Sequence, residues 1–191
     1  LRECIIDNIY EAGILAMGTG IDAVNCLISN CGSNIVIQAG GDYRFTYCTI
    51  VSYDNRYINH KNPVLTVSNA DDAGSSYDLN ALFRNCIIWA GGNNVENEVL
   101  AVKKGNTAIS VDFDHVLYKA KNISPDINVM NSIANLDPAF DSINADRRYF
   151  DFHIGKNPSP AIGSGTAVAI GNDLDGKTRA GDPDLGAYTK H

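Results

Sequence analysis

No stretch of the chain approaches the roughly 18 consecutive apolar residues that a membrane-spanning helix needs, so no membrane span is expected. A leader of basic then apolar residues is also missing. Leu1-Arg2-Glu3 runs straight into apolar alternation, the start expected of a mature fragment whose upstream turns lie elsewhere. Basic residues are in deficit: 15 Lys and Arg stand against 22 Asp and Glu, for a formal net charge of −7. Phosphate backbones want a basic face, so nucleic acid is excluded as a partner. A broad basic groove is disfavoured too, which leaves room only for a small local cluster of Arg and Lys. Sustained helical periodicity is absent, with many Asn, Gly and β-branched residues in its place. What the 191 residues do have is 45% hydrophobic and only 19% charged side chains, a globular composition with length enough for a core.

The informative feature is a repeat. Cys4-Ile5-Ile6-Asp7-Asn8 returns as Cys26-Leu27-Ile28-Ser29-Asn30, Cys48-Thr49-Ile50-Val51-Ser52 and Cys86-Ile87-Ile88-Trp89-Ala90, with a degenerate copy at Val116-Leu117-Tyr118. From Cys4 to Cys26 to Cys48 to Cys86 to Val116 the intervals are 22, 22, 38 and 30 residues. Equal steps followed by longer ones read as coils of about 22 residues with insertions in the later turns. Three residues before each copy stand Leu1, Ala23, Phe45, Phe83 and Phe113, and two before stand the mostly polar Arg2, Val24, Thr46, Arg84 and Asp114. Residues two apart in one strand share a face. The change of parity between −3 and 0 therefore predicts a bend at every repeat.

Short strands joined by bends at a fixed interval predict an all-β chain, a right-handed parallel β-helix with rungs stacked about 4.8 Å apart. Residues 1–136 form the coils and 137–191 a C-terminal cap packed on the last coil. Asn8 and Asn30 are expected at a corner, where a side-chain amide pairs with bent backbone. Asn34-Ile35-Val36-Ile37 and Pro63-Val64-Leu65-Thr66-Val67 supply further strands. The competing architecture is an antiparallel β-sandwich, whose strands do not repeat residue identity at fixed spacing. Four of the five cysteines occupy one column of the repeat, so they are expected as free buried thiols with parallel Cα–Cβ vectors. A line of thiols does not converge on a point, which argues against zinc. Cys31 stands outside the column and is expected to be structural.

From residue 137 the repeat stops. Asp137-Pro138-Ala139-Phe140, Asp151-Phe152-His153, Ser159-Pro160-Ala161-Ile162-Gly163-Ser164-Gly165, Asp173-Leu174-Asp175-Gly176 and Arg179-Ala180-Gly181-Asp182-Pro183-Asp184-Leu185-Gly186-Ala187-Tyr188 follow in order. This series resembles the C-terminal end of secreted right-handed β-helix proteins abundant in Bacteroidetes. The resemblance covers roughly residues 137–188 and departs from the family at Thr189, where Glu is common. It implies a secreted or cell-surface protein, with lipid anchoring through upstream sequence one route to the surface. It implies no single activity. Read from the residues alone, a Pro-, Gly- and Asp-rich segment covers strand edges that would otherwise aggregate.

Several residues are candidates for chemistry. Asp173, Asp175, Asp182 and Asp184 suggest calcium. Lys177 and Thr178 break the EF-hand pattern, and turn chemistry is the stronger reading. No metal site is assigned. A lyase would need a base with a nearby cation, for which Arg84 with Lys103 and Lys104, or Arg147 with Arg148, qualify. A glycosidase would need facing carboxylates, and Asp112 and Asp114, two apart on one strand face, are the candidates. His60, His115 and His153 read as structural or surface residues. Trp89 falls on the outward side of its rung, where an indole can stack on a sugar, with Tyr53 and Tyr57 on a neighbouring insertion. The alternative has Trp89 packed beneath residues 68–80 or 91–98.

The leading expectation is a non-catalytic exported domain that binds a polysaccharide or cell-surface glycan through Trp89, Tyr53 and Tyr57, without cofactor. It is expected to be a monomer within a longer chain. The alternatives are a polysaccharide lyase or glycosidase with catalytic coils partly upstream, and a structural stalk.

Overall fold

The computed structural model describes residues 1–55 and 57–190. In chain order the strands are β1 (Ile5–Asp7), β2 (Ala12–Val24), β3 (Leu27–Ser29), β4 (Ser33–Thr46), β5 (Thr49–Ser52), β6 (Leu65–Ser68) and β7 (Leu79–Ala90). Then come β8 (Val99–Val102), β9 (Ile109–Tyr118), β10 (Ile127–Met130), β11 (Ile133–Ala134), β12 (Ser142–Asn144) and β13 (Tyr149–Asp151). Among the described residues there is no helix, and so none long and apolar enough to cross a membrane. β1 to β11 form one parallel sheet of 11 strands, and β12 pairs antiparallel with β13.

The parallel pairing runs in three ladders. The first carries the repeat in register, Ile5↔Leu27↔Thr49↔Ile87↔Leu117↔Ile133. The second aligns Ala23↔Phe45↔Phe83↔Phe113↔Val129. The third aligns Ile14↔Ile35↔Leu65↔Val99. The antiparallel sandwich is therefore not what forms. One face of each ladder contributes to a single interior. Ile14, Ile35, Leu65 and Val99 meet Phe45, Phe83 and Phe113, and both sets meet Cys26, Ile28, Cys48, Ile50, Cys86 and Ile88. Phe45 and Phe83 stack at 4.9 Å between ring centroids, and Phe113 meets Phe83 edge-on at 5.5 Å.

The bend inferred from parity falls on one residue per rung. Glu3, Asn25, Tyr47, Asn85, His115 and Asn131 stand immediately before the ladder position, and all six are left-handed, with φ between 48° and 56°. Left-handed backbone costs an L-residue roughly 1–2 kcal/mol, least for Asn. The cost is offset because the corner does not interrupt inter-rung bonding. Asn25 N–H donates to Thr46 O at 3.1 Å and Tyr47 N–H to Arg84 O at 3.0 Å. A second corner repeats the device at Asn8, Asn30 and Asn135, with φ of 58°, 52° and 58°.

Two features differ from the sequence reading. A sixth rung, Ile133-Ala134, pairs with Leu117-Tyr118 after an interval of only 16 residues, with Ser132 in the cysteine column. The segment from 137 onward was expected on the last coil. It packs along the flank of the first ladder, where Phe140, Phe152, Ile154, Ala161, Leu185 and Ala187 cover Leu27, Val51, Ile87, Trp89 and Leu117. The outward positions of that ladder are apolar, and burying them contributes more than covering one terminal edge.

All five cysteines are free; Cys26, Cys31, Cys48 and Cys86 are buried, and Cys4 is partly exposed. Burial pushes the Cys48 and Cys31 thiols up, and a hydrogen bond with Cys48 together with burial raises Cys26. Since the thiolate is the reactive species, an aromatic disulfide reagent should label Cys4 alone in native protein and all five thiols in denaturant. Rapid native labelling of the four buried thiols would contradict the ladder.

Candidate functional site

Trp89 points outward from the first ladder, as its place in the repeat predicts, yet it is only 8% exposed. The C-terminal segment packs over it, Gly91, Gly92 and Asn93 line a cleft beside it, and the Lys119 ammonium lies 5.5 Å from its ring centroid. Tyr53 is half-buried beside it, with Phe150 and Phe152 at 6.2 and 6.3 Å between centroids. Burial pushes the Tyr53 phenol up. A Cβ on Gly91 would run into the Tyr53 ring, so the glycine is needed for that close approach. Trp89 and Tyr53 share the wall of a cleft of about 440 Å³ with Lys119, Asn135 and Asp137. Tyr57 is not part of it.

The segment that covers Trp89 is held by the left-handed corner residues. Asn85 donates to Thr166 O at 2.7 Å and accepts from Thr166 N–H at 2.8 Å. Asn25 donates to Asn172 O at 2.7 Å, and the Tyr47 hydroxyl donates to Thr166 O at 3.3 Å. Arg179 lies with its guanidinium 3.9 Å from the Tyr47 ring centroid and donates to Asn25 Oδ1, Gly186 O and Ala187 O. Stacking suits the planar, weakly hydrated guanidinium better than it would an ammonium.

Two of the four clustered acids, Asp173 and Asp184, are occupied largely by backbone. Asp173 accepts N–H bonds from Asp175, Lys177 and Thr189 at 2.8–2.9 Å. Asp184 accepts from Gly163 and Lys190 N–H at 2.7 Å and from the Thr189 hydroxyl at 2.9 Å. This is turn chemistry. Among the described residues no three His, Cys, Asp or Glu converge as a metal-ligand set.

Tyr57 stands in a separate cleft of about 500 Å³, lined by Asn8, Tyr10, Asn55, Tyr57, Ile58, Arg147, Arg148 and Phe150. Its walls come from the first rung, the loop between β5 and β6, and the β12–β13 hairpin. Asn55 Oδ1 accepts from Tyr57 and Ile58 N–H, both at 2.9 Å, which folds the loop tightly and leaves the Tyr57 ring outside. Asp54 anchors the same loop, accepting from His60 N–H at 2.6 Å and Asn94 Nδ2 at 2.9 Å. At the hairpin tip Asn144 Oδ1 caps Arg147 N–H at 2.9 Å, and Arg148 is left-handed at φ 54°. The Arg148 guanidinium lies 5.1 Å from the Tyr57 ring centroid. Tyr10 and Tyr57 are 80% and 65% exposed, the two most solvent-accessible large apolar side chains described. Tyr10 does not stand out in the sequence; its place two residues after the corner residue Asn8 is the available signal.

The remaining candidates are dispersed. Arg84 Nε pairs with Asp114 at 2.8 Å on the second ladder, whereas Lys103 and Lys104 follow β8 on the third, where Asn69 holds the Lys104 backbone. Asp112 is engaged by Ser110 and Asn128, both at 2.9 Å. Each of the three described histidines faces a carboxylate: His60 meets Glu98 at 2.9 Å with both side chains buried, and His115 meets Asp114 at 2.7 Å. His153 lies between Asp151 at 2.6 Å and Asp175 at 2.8 Å, above the Tyr188 ring. Compared with protein-family models, curated proteins and solved structures, the chain gives no match.

Burial works against the His153 imidazolium, but the hydrogen bonds and charges of Asp175 and Asp151 outweigh it and raise its pKa. That stabilisation is complete below the ordinary histidine value of 6.5 and is lost as pH rises through the raised folded value. The thermal midpoint should therefore fall as pH rises above about 6.5, and His153→Gln should flatten the fall. An unchanged profile in the variant would remove His153 from the account. Arg179→Ala should destabilise the protein by about 2–4 kcal/mol in urea unfolding, because it leaves the buried acceptors around Asn25 and Gly186 unpaired. Arg179→Lys should recover only part of this, and a wild-type midpoint in Arg179→Ala would refute the clamp.

Proposed function

We propose that this chain is a right-handed parallel β-helix from an exported protein of the Bacteroidetes β-helix type, and that it binds glycan without cleaving it. Three parallel ladders feeding one interior support the architecture. The hand follows from the strong bias of parallel crossovers to be right-handed. The C-terminal motifs support export by their resemblance, and no cofactor enters the reading.

The observation that carries binding is the cleft between Tyr10 and Tyr57. Exposed rings held on a compact loop can stack on the apolar face of a pyranose, while the amides of Asn8 and Asn55 supply polar contacts. Its size falls within the range of about 300–1,000 Å³ usual for small-ligand sites. The described lining residues bring no carboxylate, and hydrolysis of a glycosidic bond draws on two. Asp54 and Asp146 line the adjoining cleft, where both Asp54 oxygens already accept hydrogen bonds. The sugar platform thus moves from Trp89 and Tyr53 to Tyr57 and Tyr10.

Glycan-array binding and polysaccharide digestion test this together. Tyr57→Ala and Tyr10→Ala should each weaken binding roughly tenfold or more, the scale of a single anchoring aromatic. Trp89→Ala should lower stability by about 3–5 kcal/mol while the folded protein binds as wild type. Release of unsaturated or reducing-end sugars would overturn the non-catalytic reading, and loss of binding in folded Trp89→Ala alone would return the site to Trp89.

A further inference from the structure

We infer that the Tyr10–Tyr57 cleft selects anionic saccharides, those whose rings carry carboxylate or sulfate. The inference rests on the glycan-binding reading and adds the chemical class of ligand. Arg147 and Arg148 are adjacent at the tip of the β12–β13 hairpin, both exposed and both lining the cleft. Among the described residues neither guanidinium has a carboxylate within 4 Å, although the chain holds 22 Asp and Glu against 15 Lys and Arg. Elsewhere in the fold several cations are engaged: Arg84 with Asp114, Lys121 with Glu96, Lys156 with Asp151, Arg179 with backbone carbonyls. Two unpaired guanidinium groups side by side in an acidic protein are a local reversal of sign.

A guanidinium presents two parallel N–H donors, which matches the paired oxygens of a carboxylate or sulfate. Arg148 also lies against Tyr57, so the ring that would carry the sugar and the cation that would hold its acid group are already in contact. The acids near the cleft set its polarity. Asp7 is engaged by Ser29 Oγ at 2.6 Å and by the Asn8 and Asn30 amides. Asp54 and Asp146 sit toward the adjoining cleft, so an anionic ring is repelled from that side and drawn to the arginines. With a net charge of −7 the remainder of the surface repels an acidic polymer, which confines binding to this patch.

The test measures, by calorimetry on the whole chain, the binding of an oligogalacturonate, its methyl ester, a sulfated galactan oligosaccharide and the desulfated galactan. Arg147→Ala combined with Arg148→Asn is the variant, because Asn tolerates the left-handed position, and thermal melting confirms its fold. Binding of the galacturonate or the sulfated galactan at least tenfold tighter than its neutral counterpart is expected, and which one binds identifies the acid group. That preference should vanish in the double variant and weaken in about 0.5 M salt. Equal binding of acidic and neutral forms, untouched by the arginine changes, would overturn the anionic class and leave the glycan reading standing. Failure of all four, together with an empty glycan array, would overturn both.

Discussion

A single backbone constraint underlies this molecule: one residue per rung must be left-handed. Without the corner at Glu3, Asn25, Tyr47, Asn85, His115 and Asn131, the −3 and 0 positions would fall on opposite faces of one straight strand. Phe83 and Cys86 could not then share an interior. The corner reverses the parity, keeps the inter-rung hydrogen bonds running, and turns one side chain per rung outward. Asn suits the position because its amide can act locally and its left-handed cost is low. Tyr47 occupies it at greater cost, and its ring is used by Arg179.

The corners also explain why the C-terminal segment lies along the flank. Asn25, Tyr47 and Asn85 form a column of side chains, and that column meets the backbone of residues 166 and 172. Beside it runs an apolar column, Leu27, Val51, Ile87 and Leu117, which water would otherwise wet. Polar corner and apolar outer face together specify a docking strip. Asp173 and Asp184 shape the segment that fits it by gathering backbone N–H groups into tight turns.

Much of this was legible in the residues because a repeat writes the same physical problem several times. The cysteine column, the aromatic column three residues earlier and the bend between them follow from identity at fixed spacing. The sixth rung escaped because Ser132 replaces Cys and the interval shrinks to 16 residues, leaving nothing to align. Trp89 was placed on the correct side of its strand, but its cover comes from residues some 50 or more positions later, and a one-dimensional pattern does not reveal what an outward face will meet. The Tyr57 cleft was half visible. Arg147, Arg148 and Tyr57 each stood out by type, whereas their meeting depends on a hairpin folding back across the rungs.

A stack of rungs bonded only to nearest neighbours behaves as a one-dimensional chain, free to fray from either end one unit at a time. Here the segment carrying Thr166, Asn172 and Arg179 touches Asn25 on one rung, Tyr47 and Thr49 on the next, and Asn85 on the next again. Opening any one of these three rungs therefore disturbs contacts that also secure the other two. The strap converts serial unzipping into a collective transition, and gives a modular architecture the cooperativity of a globular domain.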